Sequence, residues 1–305
     1  MVPRVAQSSL AFREALTSSE LAIVGELRPP DGASLAPLTD AAERIADRVC
    51  CIQLTDMPRA TPHMDNLAGV AALAARGLDV MVTMTCRDRN MIAQQARLLA
   101  SAALGACAAF CITGDPVVVG DHPTARGVFE MRAPEWLQLA RRMRDMGQYA
   151  SGRPAEPRPE LLLGAALAPD GPREPVEDSR AKAAAGADFF MTQPIFEPRR
   201  LSSLLADMAG IGVLPKCHVL AGIAAPPSIE RARWLDEFPG IVVPPLLLAR
   251  MESVSPTEQR DVALRSVAET VHQLRAMDQL SGVLIYPVGD DLDWMSEVLD
   301  VVVTS

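Results

Sequence analysis

Aromatic side chains are scarce in this chain, at 4% of 305 residues against 49% hydrophobic residues overall. Any core must therefore be built of Ala, Leu, Val, Ile and Met rather than of stacked rings. Lysine is nearly missing as well, Lys182 and Lys216 standing alone among 29 basic residues. No run of Lys or Arg forms a stripe that could track phosphates. With a net charge of −9, the chain is a poor partner for nucleic acid or for an anionic membrane. The six cysteines include no Cys-x-x-Cys pair, and His63, His122, His218 and His272 show no ligand spacing, so no metal is expected. Most of the thiols sit inside apolar runs as small hydrophobes, the usage of a reducing cytoplasm. There is no apolar run of roughly 18 residues, and residues 1–12 lack the sustained apolar core of a leader. The expectation is a soluble, cytoplasmic protein. Also missing are a Gly-x-Gly-x-x-Gly after the first strand and a Gly-x-x-x-x-Gly-Lys-Ser/Thr, the usual nucleotide signatures of an open α/β sheet.

What the chain does have is alternation. Apolar strand-like runs at 21–25, 49–54, 80–85, 106–112, 161–167, 188–192, 217–221 and 282–286 are separated by stretches of helical periodicity. The helical stretches fall at 35–48, 64–76, 90–104, 135–146, 176–185, 199–209, 228–237 and 256–277, with a short extra helix at 244–251 and a last one around Glu297. Gly186 and Ser228 read as caps. A short helical lead occupies residues 1–20, and the proline-rich segment 151–159 is a surface excursion after which the alternation resumes. Eight strands alternating with helices predict an α/β fold, a (β/α)8 TIM barrel forming a single domain over residues 1–305. An open doubly wound sheet is the alternative, disfavoured by the missing glycine motifs.

In such barrels reactive groups sit at the carboxyl ends of the strands. The run 106–112 stops at Thr113-Gly114-Asp115-Pro116, which delivers a carboxylate to that rim; alone, Asp115 reads first as a turn cap, and the similar ends of other strands make it a site candidate. Glu26 closes the first strand before Pro29-Pro30, where burial would raise its pKa and let it donate a proton; a structural ion pair with a nearby Arg is the other possibility. Gln193 can donate and accept toward the edge of a ring, or simply close a strand onto a loop. Lys182 is either a ligand or a solvated helix residue. Two carboxylates and an amide on one rim suit acid/base chemistry on a polar heterocycle.

Glu26-Leu27-Arg28-Pro29-Pro30, Thr85-Cys86-Arg87-Asp88-Arg89-Asn90, Ile112-Thr113-Gly114-Asp115-Pro116, Gly120-Asp121-His122-Pro123 and Lys182 with residues 185–194 together resemble the methylenetetrahydrofolate reductase family. The resemblance spans nearly the whole chain and is strongest to bacterial fusions with a homocysteine methyltransferase. It implies that NAD(P)H reduces FAD and that the flavin passes hydride to 5,10-methylenetetrahydrofolate, giving 5-methyltetrahydrofolate, or the reverse. It casts Glu26 as general acid and places Asp115 beside flavin and pterin, Gln193 and Ile229 on the substrate, and Thr55, Thr83, Gly114, Phe129 and Lys182 on the cofactor. Departures from the family pattern are Thr83 in place of a histidine, Asp56-Met57 for Asp-Asn, Leu167-Ala168-Pro169 after the fifth strand, and Phe129 without a hydroxyl. Asp290, Asp291 and Asp293 stand where a substrate-holding Arg is expected. These losses leave a flavin-depleted enzyme, or a folate-binding partner subunit without activity, as alternatives. As for assembly, a homo-oligomer or a subunit of a larger complex is expected.

Overall fold

The computed structural model describes residues 10–171, 174–289 and 291–305. Residues 1–9 of the expected lead, and Asp290, lie outside the described residues. Eight parallel strands close into a barrel in sequence order: β1 (Ala22–Leu27), β2 (Cys51–Leu54), β3 (Val80–Thr85), β4 (Ala108–Ile112), β5 (Leu162–Leu167), β6 (Phe189–Pro194), β7 (His218–Ala224) and β8 (Gly282–Tyr286). β8 pairs back onto β1, with Gly25 opposite Ile285, which closes the ring. The fold is the (β/α)8 barrel, not the open sheet.

The helices are α1 (Leu10–Leu16), α2 (Ala36–Ile45), α3 (Asn66–Ala74), α4 (Met91–Ala103), α5 (Ala133–Met146), α6 (Pro175–Ala185), α7 (Pro198–Gly210), α8 (Ile229–Asp236), α9 (Pro245–Glu252), α10 (Gln259–Arg275) and α11 (Leu292–Thr304). Their starts follow local chemistry. Asn90 accepts from the Ala93 N–H and Ser228 from the Arg231 N–H, each satisfying a donor that the first turn leaves unpaired. Gly186 ends α6 in the left-handed region, as its sequence position suggests.

Side chains alternate in and out along each strand. Ile52 and Leu54, Val80 and Val82, and Leu163 and Ala165 belong to the large outer core against the helices. Val24, Cys51, Met81, Phe110, Phe189 and Leu284 fill the lumen. The barrel thus has two cores, and neither needs many rings. α1 closes the amino-terminal end. Phe12 and Leu16 enter the lumen core, the Phe12 ring meets Phe189 edge-on at 5.5 Å, and the Phe12 N–H donates to Asp79 at 2.9 Å. With that end stoppered by apolar packing, polar inward-facing residues are confined to the opposite mouth. All six cysteines are free, and burial pushes the Cys50 and Cys86 thiols up to about 12, so they remain neutral packing groups.

Candidate active site

Following the inward alternation of β1 past Val24 brings Glu26 to the mouth. Its register partner on β2 is Gln53. One step beyond the Gly25/Ile285 pair on the other side, β8 brings up Tyr286. Burial pushes the Glu26 carboxyl up to about 7, the charge of Arg28 offsetting only part of the effect. A carboxyl that titrates near neutrality keeps a substantial protonated fraction there and can both give and take a proton. Tyr286 sits in the same field: burial and the Glu26 charge push its phenol above its ordinary range, and its hydroxyl donates to the Thr192 carbonyl at 2.9 Å. That reach requires Gly222, where a Cβ would stand 2.7 Å from the Tyr286 ring.

Gln53 is the functional candidate that the sequence reading passed over. It is 2% exposed, its Nε2 donates to Thr83 Oγ1 at 3.1 Å, and its Oε1 is buried without a partner. A buried unpaired amide oxygen is costly, and here it lies on the residue paired with Glu26. The available signal was a lone glutamine in an apolar four-residue strand.

The other expected residues are placed as follows. Gln193 closes β6 after a register shift between Met191 and Pro194, and its Oε1 is buried without a partner beside Gly240. Gly114 has φ +89, and a Cβ there would meet Thr85 Oγ1 at 2.0 Å, so the loop must carry glycine. Asp115 follows it on the rim, exposed to solvent. Thr55 is buried, with its hydroxyl unpartnered. Ile229 begins α8, is buried in the satellite core with Leu235 and Val288, and gives its N–H to Gln259 at 2.9 Å. Phe129 lies on an exposed loop at φ 43.

Two cavities bear on the site, and a third lies apart from it. One of about 390 Å³ is lined by Glu26, Arg28 and Pro287. A second of about 790 Å³, walled by the loops after β1, β2, β4 and β8 and by α8, shares Arg28, Asp31, Pro287 and Gly289 with the first. Asp115 and Gln193 line neither. A groove of about 900 Å³ beside α5 lies on the helical shell, away from the strand ends. Asp291 and Asp293 do not face the mouth as bare charge: Asp291 caps α11 and pairs with Arg260 at 3.2 Å, and Asp293 pairs with Arg44 at 2.5 Å.

Tested against a flavin dinucleotide, the side chains expected to hold it do not fit as a set. The diphosphate calls for a cation. Lys182, 8% exposed, donates to the Ala166 carbonyl at 2.7 Å and is ion-paired with Asp178. Thr83 is engaged by Gln53. Asp56 accepts from the Thr85 N–H at 3.0 Å and holds Arg89 through both oxygens, a strut between strand exits. Thr55 and Gly114 keep a free edge, and Asp115 and Phe129 are exposed to solvent. Among the described residues, no group of three or more His, Cys, Asp or Glu side chains is arranged to hold a metal ion. Nor is any described helix long and apolar enough to cross a membrane.

Eight parallel strands closed in sequence order, stoppered at one end and with a buried carboxyl inside the other, place the chain in the (β/α)8 class with its polar groups at the carboxyl-end mouth. The chain belongs to the methylenetetrahydrofolate reductase family, whose sequence pattern it matches over residues 11–286. Among curated proteins, no match by sequence is found. Solved structures of similar fold include an uncharacterized protein from Clostridium thermocellum that binds two copies of 5-methyl-5,6,7,8-tetrahydrofolic acid. It is 11% identical, with a TM-score of 0.61 over 96% of this chain and 100% of that one. 2,3-Dimethylmalate lyase, of the PEP mutase/isocitrate lyase superfamily, is 12% identical (TM-score 0.50; 92% and 81% covered). Phosphonopyruvate hydrolase is 14% identical (TM-score 0.50; 92% and 80% covered). At such identities the likeness is one of fold.

Proposed function

We propose that this protein is an oxidoreductase of one-carbon folate metabolism that interconverts 5,10-methylenetetrahydrofolate and 5-methyltetrahydrofolate, with NAD(P)H and NAD(P)+ as the hydride couple. The observation that carries the reading is Glu26, an inward-facing acid at the mouth of a family barrel, with burial pushing its carboxyl up to about 7. The folate bound by the Clostridium thermocellum protein supports the substrate class. In the reductive direction Glu26 gives its proton to the bridging nitrogen as the five-membered ring opens to a 5-iminium cation. Hydride then adds to the iminium carbon, giving the methyl group. One hydride and one proton are consumed for each methyl formed. In the oxidative direction the Glu26 carboxylate takes the proton back as the ring closes. Gln193 is assigned to the pterin edge, and Asp115, exposed on the rim, adds only a weak, solvent-screened charge toward the cationic intermediate.

No step is routed through FAD. A second reading, in which FAD relays the hydride, is favoured by one feature: the Thr55 hydroxyl is buried and unpartnered. The visible absorption spectrum of purified protein, before and after addition of FAD, separates the two readings.

The test of the function is nicotinamide oxidation in the presence of 5,10-methylenetetrahydrofolate, followed by absorbance with and without FAD. Oxidation stoichiometric with 5-methyltetrahydrofolate is expected. Folate binding without turnover from NADH or NADPH, with FAD present or absent, would instead make the chain a folate-binding subunit.

A further inference from the structure

Strand β6 leaves its ladder with β7 just before it ends. Register partners run from Met191 with Leu220 to Pro194 with Gly222, so Thr192 and Gln193 together oppose a single residue of β7 and form a bulge. The main-chain groups around it are met by side chains. Tyr286, arriving from β8, gives its hydroxyl to the Thr192 carbonyl at 2.9 Å. Thr192 Oγ1 donates to the Gln193 carbonyl at 2.7 Å and accepts from the Gly222 N–H at 2.8 Å. The chain then rejoins β7, the Ile195 N–H donating to the Gly222 carbonyl at 2.8 Å. Thr192 is fully buried, so water does not compete for these bonds.

Tyr286 reaches β6 by passing over β7, and Gly222 lets it through. A Cβ there would stand 2.7 Å from the Tyr286 ring and equally close to the Thr192 and Gln193 carbonyl oxygens. Burial keeps the phenol protonated at neutral pH, so the donor is always present. The bulge carries Gln193, whose amide Oε1 is buried and unpartnered. Bulges beside sites re-aim the side chains they carry.

We propose that Tyr286 is a positioning residue for Gln193: its bond to the Thr192 carbonyl fixes the β6 bulge so that the Gln193 amide is held toward the pterin edge. The assignment rests on the folate reading above, in which Gln193 meets the pterin. A side chain from β8, the strand beside that of Glu26, thereby sets the ligand-reading group on the far side of the mouth.

Tyr286→Phe keeps the ring over Gly222 and removes the hydroxyl alone. Calorimetric titration with 5-methyltetrahydrofolate is expected to show binding about fivefold weaker in this variant, about tenfold weaker in Gln193→Ala, and no weaker in the double variant than in Gln193→Ala. In turnover the folate KM rises about fivefold while kcat changes less than about twofold, because Glu26 is untouched. Amide exchange in the ligand-free variant quickens about tenfold at Ile195 and Gly222. Thr192→Val opens the same bulge from within, and the same pattern is expected of it, which keeps the test decisive if Tyr286→Phe does not fold. Additive losses in the double variant, a fall in kcat at unchanged KM, or unchanged exchange at Ile195 and Gly222 each overturn the positioning role and leave the folate reading standing. Failure of the wild type to bind the folate overturns that reading and the positioning role with it.

Discussion

On the β8–β1–β2 side of the mouth, Glu26 and Gln53 are register neighbours facing inward, and the Gln53 amide oxygen is still unpaired. On the β5–β6 side, Lys182 has its ammonium bonded to the Ala166 carbonyl and to Asp178. Glu26 and Lys182 both come from stretches that carry the family resemblance, but Lys182 is satisfied by the fold and Glu26 is not, and on the β6 end Gln193 also keeps an unpaired amide oxygen. A polar group serves a ligand when the fold leaves it unsatisfied, and serves stability when the fold satisfies it.

Four substitutions or conditions sharpen or break this contrast. Glu26→Gln removes the proton and keeps the shape, so turnover is expected to fall about 10²–10⁴-fold while 5-methyltetrahydrofolate still binds. Steady-state kinetics paired with a binding isotherm show this, and unchanged turnover would dismiss Glu26 as the acid. Lys182→Met removes the ammonium that the Ala166 carbonyl and Asp178 share and should lower stability by about 1–3 kcal/mol in urea titration. A loss of cofactor affinity without loss of stability would return Lys182 to the ligand.

Glu26 also sets a pH dependence. Its folded-state value, about 7, lies above the ordinary 4.5. The unfolded chain therefore ionises first, and stability drops as pH rises from 4.5 toward 7, remaining lower above that. Because the side chain is partly open to the mouth, the loss is expected to be about 1–2 kcal/mol, and Glu26→Gln should abolish it in melts across that range. The smallest effect belongs to Asp115→Asn. An exposed carboxylate contributes little, so kcat/KM is expected to fall no more than about fivefold. A larger loss would mean that the loop folds inward on binding, which a ligand-induced change in amide exchange at 113–116 would register.

The barrel was legible because its signals are local. Continuous apolar runs at 80–85 and 161–167 and the caps at Gly186 and Ser228 need no knowledge of neighbours, and each falls where expected. Boundaries moved where closure intervened. Residues 106 and 107 are apolar and buried but precede the β4 ladder, and the register shift in β6 carries that strand on to Gln193 and Pro194. The rim position of Glu26 was readable too, because two prolines fix where β1 must end.

The amino-acid order alone determined the eightfold alternation and the approximate position of each strand, since backbone period and turn chemistry act over a few residues. Tertiary closure alone decided what the polar side chains touch: Gln53 beside Glu26, Lys182 locked to Asp178, Arg59 carried across to Trp234. Hydrogen bonding and desolvation depend on groups brought together from distant strands, and no local pattern encodes that meeting.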